Sequence, residues 1–330
     1  MPIKRFILLL IILLGQASLA IAGPRVAIFS DETTTSRQIH QLVSEELRQA
    51  GLPELAVGTI TSAQKAAPQE PAASAPPTGT PGISLGMLNP GDIAIAIGSQ
   101  ALRHLLHQST SRQIIVVLIT RSALEEELTK LATRAGREIY AIVLDQPLGR
   151  FLDLMRLALP QRQRIGVLLG PTTSTQQKPL ERLAAERDMT VSVSRVYEDV
   201  IFIPQLERLL VQSDILLALP DASVHNRNTV QPLLLTTYRA GVPVVAYSEG
   251  YAQAGALLAL YSTPAQLARQ TIEVVQNLSQ GRSAPHIQAP RYFSVSVNAS
   301  VARSLGLTLP AADVLRERLQ QISAGVEKSE

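Results

Sequence analysis

Two stretches of this sequence place polar residues directly after an apolar run. Ser99 and Gln100 follow the run at 93–97, and Asp221 follows the run at 215–219. Ser99 and Gln100 would start a helix, whose N–H groups and dipole favour an anion such as a carboxylate. Asp221 would face a ligand amine. The alternative is structural, because Ser also caps helices and Asp also shapes turns.

Other polar residues occupy corresponding positions after predicted strands. In open α/β sheets ligands bind beyond the carboxyl ends of the strands, so we expect these residues to surround one binding site. The candidate ligand-binding residues are Ser30, Asp31, Ser99, Gln100, Thr120, Asp145, Thr172, Asp221, Asn226, Ser248 and Tyr261, with Arg121 beside Thr120 on the same edge.

Patterns that would indicate catalysis or a resident cofactor are incomplete. His104 and His107 are three residues apart on a predicted helix, but a metal site needs three or four ligands. Asp221 with His225 resembles an acid–base pair, yet no nucleophile motif accompanies it. No glycine-rich phosphate loop is present. We therefore expect no enzyme activity, no metal and no cofactor.

The elements that position these residues form a repeated pattern. Each of the two apolar runs is preceded by an Asp, Asp92 or Asp214, and is typical of a strand buried on both faces of a parallel sheet. Strands and helices alternate up to about residue 145, and the alternation then restarts. This pattern predicts an α/β protein with two doubly wound parallel-sheet lobes.

The end of the chain adds helices and a strand after both lobes are complete, which indicates that the chain crosses back between the lobes. We expect a signal peptide at 1–22, a first lobe from 23–145 plus about 263–285, a second lobe from 146–262 plus about 286–322, and a frayed tail at 323–330. An Ala- and Pro-rich segment at 63–82 reads as a flexible insertion in the first lobe.

The N-terminus has the pattern of a cleavable secretory signal. Lys4 and Arg5 precede about nine apolar residues, and Ala20-Ile21-Ala22 forms a small-residue cleavage site. The apolar run is too short to span a bilayer. The sequence contains no Cys and therefore no disulfide. We expect a protein exported to the periplasm.

The charge balance argues against nucleic acid as a partner. The chain has 30 basic and 27 acidic residues, and removal of the signal takes away two of the basic ones. No basic run interleaved with aromatic residues remains. Aromatic residues make up 4% of the chain and Trp is absent, which disfavours a sugar site, although Tyr247, Tyr251 and Tyr261 leave it open.

Several stretches carry a resemblance to a known family. They are Leu144-Asp145-Gln146-Pro147, the helix end at 154–160, Arg164-Ile165-Gly166-Val167-Leu168, Leu217-Ala218-Leu219-Pro220-Asp221, Gly241-Val242-Pro243-Val244, Ala254-Gly255-Ala256-Leu257 and the segment 298–310. Together they resemble ABC transporter substrate-binding proteins related to the tryptophan- and tyrosine-binding type, over residues 91–310.

The resemblance implies a type I periplasmic binding protein fold, with two lobes joined by about three crossovers and a ligand held between them. It places Ser99 and Gln100 on the carboxylate side of the ligand, Asp221 on the opposite wall and Tyr261 near the last crossover. The expected function is binding of a small polar, amino-acid-like solute by lobe closure, for a membrane permease of an ABC importer, by a monomer. The alternative is a periplasmic sensor or accessory protein that uses the same fold to contact a membrane or envelope partner.

Overall fold

The computed structural model describes residues 24–59, 88–130, 136–197 and 202–327 of the 330-residue chain. The expected signal peptide at 1–22 and the expected insertion at 63–82 lie outside the described residues.

The strands, in chain order, are β1 (Val26–Ser30), β2 (Glu54–Thr59), β3 (Ile93–Ile97), β4 (Gln113–Ile119), β5 (Glu138–Val143), β6 (Arg164–Leu169), β7 (Thr190–Arg195), β8 (Ile215–Leu217), β9 (Val244–Ala246), β10 (Leu258–Tyr261), β11 (Ile287–Gln288) and β12 (Ser294–Val297).

The helices, in chain order, are α1 (Thr34–Gln49), α2 (Ser99–Gln108), α3 (Arg121–Thr129), α4 (Leu148–Ala158), α5 (Gln177–Ala185), α6 (Phe202–Val211), α7 (Val230–Arg239), α8 (Glu249–Ala254), α9 (Pro264–Ser279), α10 (Ala299–Ser304) and α11 (Ala312–Glu327). A short 3-10 turn, Ser174–Gln176, precedes α5.

The first lobe is a parallel sheet with the strand order β2-β1-β3-β4-β5-β11. Its β3 strand alternates Ile and Ala and is fully buried, as its apolar run predicted. Ile93, Ile95 and Ile97 face the apolar cluster under α1 and α9, whereas Ala94 and Ala96 face the cluster under α2 and α3. Each face of the sheet is thus covered by its own pair of helices.

The second lobe repeats this arrangement with the order β7-β6-β8-β9-β10-β12. Helices α4, α5 and α11 cover one face and α6, α7 and α8 cover the other. The sheet is parallel as expected except at its edge, where β12 runs antiparallel to β10. The reason is the route of the chain: β11 ends at the edge where the chain crosses over, so β12 starts at that same edge and runs back.

The Asp residues that precede β3 and β8 have the same structural role in their two lobes. The Asp92 carboxylate accepts hydrogen bonds from the backbone and the guanidinium of Arg25, at 2.7 Å for the shortest contact. The Asp214 carboxylate accepts the corresponding bonds from Arg164, at 2.6 Å. In each lobe this pair ties the start of the first strand to the start of its neighbour. The repeated sequence pattern therefore reflects a repeated architecture.

Three crossovers connect the lobes, in agreement with the expected fold. They lie at 145–147 between β5 and α4, at 262–263 between β10 and α9, and at 289–293 between β11 and β12. The third lies later than the expected boundary at about 285, because Ile287–Gln288 still pairs with β5 of the first sheet.

The tail differs from the expected fraying at 323. Helix α11 continues to Glu327, because Leu315 and Leu319 anchor it in the core of the second lobe. Among the described helices, none combines the length and the apolar character needed to cross a bilayer.

Candidate functional site

Both sheets reverse their winding direction at one point, between β1 and β3 in the first lobe and between β6 and β8 in the second. Ligands in open α/β sheets collect at such switch points, beyond the carboxyl ends of the strands. The candidate residues Asp31, Ser99 and Asp221 lie at these two places.

In the first lobe the switch point is filled by the protein itself. The Asp31 carboxylate accepts hydrogen bonds from the backbone N–H of Ala101 at 2.8 Å and of Gln100 at 3.4 Å. Burial raises the pKa of Asp31, although these N–H donors and Arg103 oppose the shift. The helix start that we expected to hold a ligand carboxylate is therefore occupied by Asp31, and Ser99 and Gln100 are only its surroundings.

A glycine makes room for this arrangement. Gly98 has φ +100°, and a Cβ atom there would lie 2.2 Å from Oδ2 of Asp31. The neighbouring candidate Ser30 is buried, and its hydroxyl pairs with Nδ1 of His40 at 3.0 Å. These residues shape the interior of the first lobe and do not line the cavity between the lobes.

In the second lobe Asp221 fills the equivalent position. Its carboxylate accepts hydrogen bonds from the N–H and hydroxyl of Thr173 and from the N–H and hydroxyl of Ser223, at 2.6–3.1 Å. Burial raises the pKa of Asp221, but the bonds from Ser223, Thr172 and Thr173 outweigh it and the net shift is downward. A Cβ at Gly170 would lie 2.6 Å from this carboxylate. Asp221 therefore organises a turn, which was the structural alternative.

His225 does not form an acid–base pair with Asp221. Its Nδ1 lies 2.9 Å from the hydroxyl of Tyr251, and its ring packs edge-on against that tyrosine. Burial lowers the pKa of His225 to about 4, against the opposing charge of Asp221. The imidazole is therefore neutral near pH 7 and belongs to an aromatic cluster with Tyr247 and Tyr251.

A cavity of 540 Å³ lies between the lobes, which is within the range of small-molecule sites. It is lined by both lobes and by the first two crossovers. The lining residues are Thr35, Gln38, Thr120, Leu144, Asp145, Gln146, Phe151, Gln176, Leu219, Pro220, Tyr247, Ser248, Glu249, Tyr261, Ser262, Thr263 and Pro264. We call this cavity the cleft.

Four candidate residues from the sequence line the cleft: Thr120, Asp145, Ser248 and Tyr261. The other seven do not, and they are Ser30, Asp31, Ser99, Gln100, Thr172, Asp221 and Asn226. Thr172 is exposed, and the Asn226 side chain holds the loop before α7 through bonds to the Ala222 carbonyl and the Asn228 N–H. The structure thus brings together the residues near the crossovers, whereas the switch-point residues Ser30, Asp31 and Asp221 are buried outside the cleft.

The sequence missed several residues of the cleft wall, among them Gln146, Glu249 and Ser262. Gln146 and Ser262 belong to the crossovers themselves, and Glu249 is the first residue of α8. The signal that could have found Gln146 and Ser262 is their position, because each follows the last strand before the chain leaves a lobe.

The three crossovers are joined by a continuous set of hydrogen bonds, which we call the hinge network. Nε2 of Gln146 donates to the hydroxyl of Ser262 at 2.9 Å, and that hydroxyl donates to the Tyr292 carbonyl at 2.6 Å. Nη1 of Arg150 donates to Oε1 of Gln146 at 2.6 Å and to the Pro290 carbonyl at 2.9 Å. Because Gln146 and Ser262 also line the cleft, the network connects the site directly to the hinge.

The charged groups of the cleft are carboxylates. Oδ2 of Asp145 accepts the Arg121 backbone N–H at 2.7 Å, and burial raises the pKa of Asp145. Burial also raises the pKa of Tyr261, whose hydroxyl lies 3.0 Å from that of Ser296; this bond opposes the shift and Glu249 adds to it. The described part of the chain contains no group of three or more His, Cys, Asp or Glu that could hold a metal.

A second cavity, of 670 Å³, is lined by the first and third crossovers and not by the second. Its Arg187 pairs with Asp153 at 2.8 Å, and its Arg291 pairs with Glu273 at 2.7 Å. Arg150, the third cation of this cavity, donates to Gln146 and to the Pro290 carbonyl, so all three cations have protein partners and the cleft remains the better candidate for a ligand site.

Two doubly wound lobes, three crossovers and a polar cleft between the lobes define a two-lobed binding protein. The sequence profile of ABC transporter substrate-binding proteins matches residues 87–320, which is most of the chain. The chain belongs to this family, whose members bind small molecules for ABC transporters and are not enzymes.

Solved structures support the fold. The chain is similar to a conserved domain protein from Vibrio cholerae, with 18% identity, a TM-score of 0.57 and coverage of 89% of this chain and 98% of that one. It is similar to the ligand-free, open structure of a substrate-binding protein with adhesive properties from Clostridium difficile, with 14% identity, a TM-score of 0.64 and coverage of 88% and 96%.

A third similar structure is an ABC domain in complex with L-Trp from Streptococcus pneumonia, with 13% identity, a TM-score of 0.55 and coverage of 89% and 98%. No curated protein sequence matches the chain significantly. The type I periplasmic binding protein fold that the resemblance implied is confirmed.

Proposed function

We propose that the protein is a periplasmic solute-binding protein of an ABC importer, which takes up a small polar, amino-acid-like ligand in the cleft. The observation that carries this proposal is the 540 Å³ cleft, with polar groups from both lobes and from two crossovers. Sites of this size with a few placed polar groups on largely apolar walls are typical of small-molecule binding.

Closure of the lobes supplies the mechanism. Thr120 approaches the cleft from the first lobe and Ser248 from the second, so a ligand gains its full set of contacts only when both walls meet it. The hinge network lies beneath these walls and transmits the change of lobe angle. The closed form is the one that a membrane permease would recognise, because its surface differs from that of the open form.

Family membership and the N-terminal signal pattern support export to the periplasm. The near-neutral charge balance supports a role without nucleic acid. We propose that the protein acts as a monomer with respect to ligand binding, because one chain supplies both walls of the cleft.

The test is thermal unfolding of residues 23–330 with a panel of amino acids, amines, organic acids and sugars. A ligand present at 100 times its Kd stabilises the folded state by about 2.7 kcal/mol. For domains of this size class, that corresponds to a rise in Tm of about 5–10 °C. At least one solute of the panel is expected to produce such a rise.

A matched pair of variants locates the effect. Tyr261→Phe removes a hydroxyl from the cleft wall, and Tyr197→Phe removes one from an exposed ring. Tyr261→Phe is expected to weaken ligand binding about three- to tenfold, and Tyr197→Phe to leave it unchanged. A protein that no solute stabilises contradicts the proposal, and retention of an envelope protein by it would then favour the sensor alternative.

A further inference from the structure

The charges of the cleft have one sign. Of the described residues that line it, Asp145 and Glu249 are acidic, and none is Arg, Lys or His. No salt bridge of the described residues joins either carboxylate to a basic side chain. The cleft therefore presents a net negative charge to whatever enters it.

Three helix starts beside the cleft, which would be natural donors for an anion, already have protein oxygens bonded to them, whereas α5, whose start at Gln176 also lines the cleft, has no side-chain cap. Thr120 accepts the Ala123 N–H at the start of α3, and Ser248 accepts the Tyr251 N–H at the start of α8. Thr263 and Gln266 form a reciprocal capping box at the start of α9. At these three starts a ligand carboxylate would have to displace the caps or rely on neutral side-chain donors.

Of the two carboxylates in the cleft, Asp145 is the one that a neighbouring cation would stabilise more. It is half-buried at the first crossover, and its Oδ2 accepts a hydrogen bond from the Arg121 backbone N–H at 2.7 Å. Burial raises its pKa; the Arg121 N–H and charge lower it, and Glu125 raises it further. Because desolvation of the carboxylate is incompletely compensated, an ammonium group beside it would recover electrostatic free energy.

Glu249 approaches from the other lobe. It is the first residue of α8, and it acts on the Tyr261 hydroxyl through both charge and a hydrogen bond. The two carboxylates therefore belong to opposite walls, and closure of an empty cleft would bring like charges together. A cation between them converts this repulsion into attraction from both sides and favours the closed form.

We infer that the ligand of this cleft is a small organic amine that carries a net positive charge and no carboxylate group. The inference rests on the proposed function and narrows its ligand class from amino-acid-like solutes to their cationic, carboxylate-free relatives. It also explains how ligand charge is coupled to closure.

The test compares compounds that differ in one group, using calorimetry on residues 23–330. Cadaverine is compared with L-lysine and tyramine with L-tyrosine, since each amine lacks only the carboxylate of its partner. The acid 3-(4-hydroxyphenyl)propionate, which lacks the amine, completes the tyrosine series. The amine of at least one pair is expected to bind at least tenfold more tightly than its amino acid, and the acid is expected not to bind.

Charge-neutralising variants connect the preference to the two carboxylates. Asp145→Asn retains an acceptor for the Arg121 N–H, and Glu249→Gln is similarly isosteric. Each is expected to weaken amine binding at least tenfold, whereas Glu46→Gln, on the exposed face of α1, is the matched control and leaves it unchanged.

The outcomes separate the two proposals. Tighter binding of an amino acid, an organic acid or a neutral sugar than of any amine overturns the inference and leaves the solute-binding function standing. Amine binding that is insensitive to both Asp145→Asn and Glu249→Gln also overturns it. A protein that no compound of any charge stabilises overturns the function and the inference together.

Discussion

Replacing Asp31 with alanine tests whether this residue is a plug inside the first lobe or a ligand contact. Its exposed fraction is 8%, and its carboxylate accepts the Ala101 N–H at 2.8 Å. In Asp31→Ala that N–H loses its partner at the start of α2, where water has little access. The lobe should lose stability, while ligand binding in the cleft should not change.

The magnitude follows from the contacts. A hydrogen bond to a charged group contributes about 1.5–3 kcal/mol, and the contact to the Gln100 N–H at 3.4 Å is too long to add much. Part of this is offset because removal of Asp31 also removes a desolvated charge, whose pKa is raised by burial. We expect a net loss of about 2 kcal/mol, which lowers Tm by about 4–8 °C.

The assay is thermal unfolding of residues 23–330, with solute binding measured on the same samples. Asp31→Asn is the control, because it keeps an acceptor for the Ala101 N–H, and it should lose less than half as much stability. If Asp31→Ala unfolds within about 1 °C of wild type but binds solute at least tenfold more weakly, Asp31 is a ligand contact and its assignment as a structural residue of the first lobe is refuted.

Three further predictions concern the same features. Gly98→Ala should lower the free energy of unfolding by about 2–4 kcal/mol, because the new Cβ combines a positive φ with a close approach to Asp31. In Gly91→Ala the new Cβ meets no atom within 4 Å, so chemical denaturation should show an unchanged free energy of unfolding. Gln146→Ala should remove two hydrogen bonds of the hinge network and raise the radius of gyration of the ligand-free protein in X-ray scattering. The control Gln212→Ala, at an exposed position, should leave the radius unchanged. Equal radii for the two variants would contradict the coupling of the hinge network to the angle between the lobes. The pKa of Asp31 in the folded state lies above its ordinary value of 3.8. The stabilisation that comes from protonated Asp31 is therefore fully present below pH 3.8 and is lost as the pH rises through the raised pKa. Over this window the free energy of unfolding of wild type should fall relative to that of Asp31→Asn, and a rise measured by calorimetry would contradict the sign.

The fold could be predicted from the sequence because buried parallel strands leave a strong pattern. The runs at 93–97 and 215–219 are uniformly apolar, and in the structure both are buried as expected. The direction of β12 could not be predicted, since it depends on where the third crossover enters the second lobe and not on the residues of the strand.

The site was predicted less well, for a physical reason. Polar residues after strands have similar sequence signatures whether their hydrogen bonds go inward, as those of Asp31 and Asp221 do, or into a cleft, as Asp145 can. The difference is set by tertiary placement: switch points lie in the middle of each sheet, whereas the crossovers lie where the lobes meet. Residues next to the crossovers therefore predict the lining of the cleft better than residues at the switch points do.

The packing of α9 on α1 determines when the first lobe can fold. Leu267, Ile272 and Val275 of α9 are buried in the same core as Ile39 and Val43 of α1, and β11 then completes the edge of that sheet. During synthesis, the residues of α9 that pack on α1 emerge more than two hundred positions after it, behind most of the second lobe. Until the chain up to residue 279 has been made, the apolar residues of α1 that pack on α9 lack that part of their core. The two lobes have separate sheets, but the core of the first lobe is completed by residues that follow the second lobe in the chain. A fragment that ends at residue 262 would lack α9, which packs on α1 in that core.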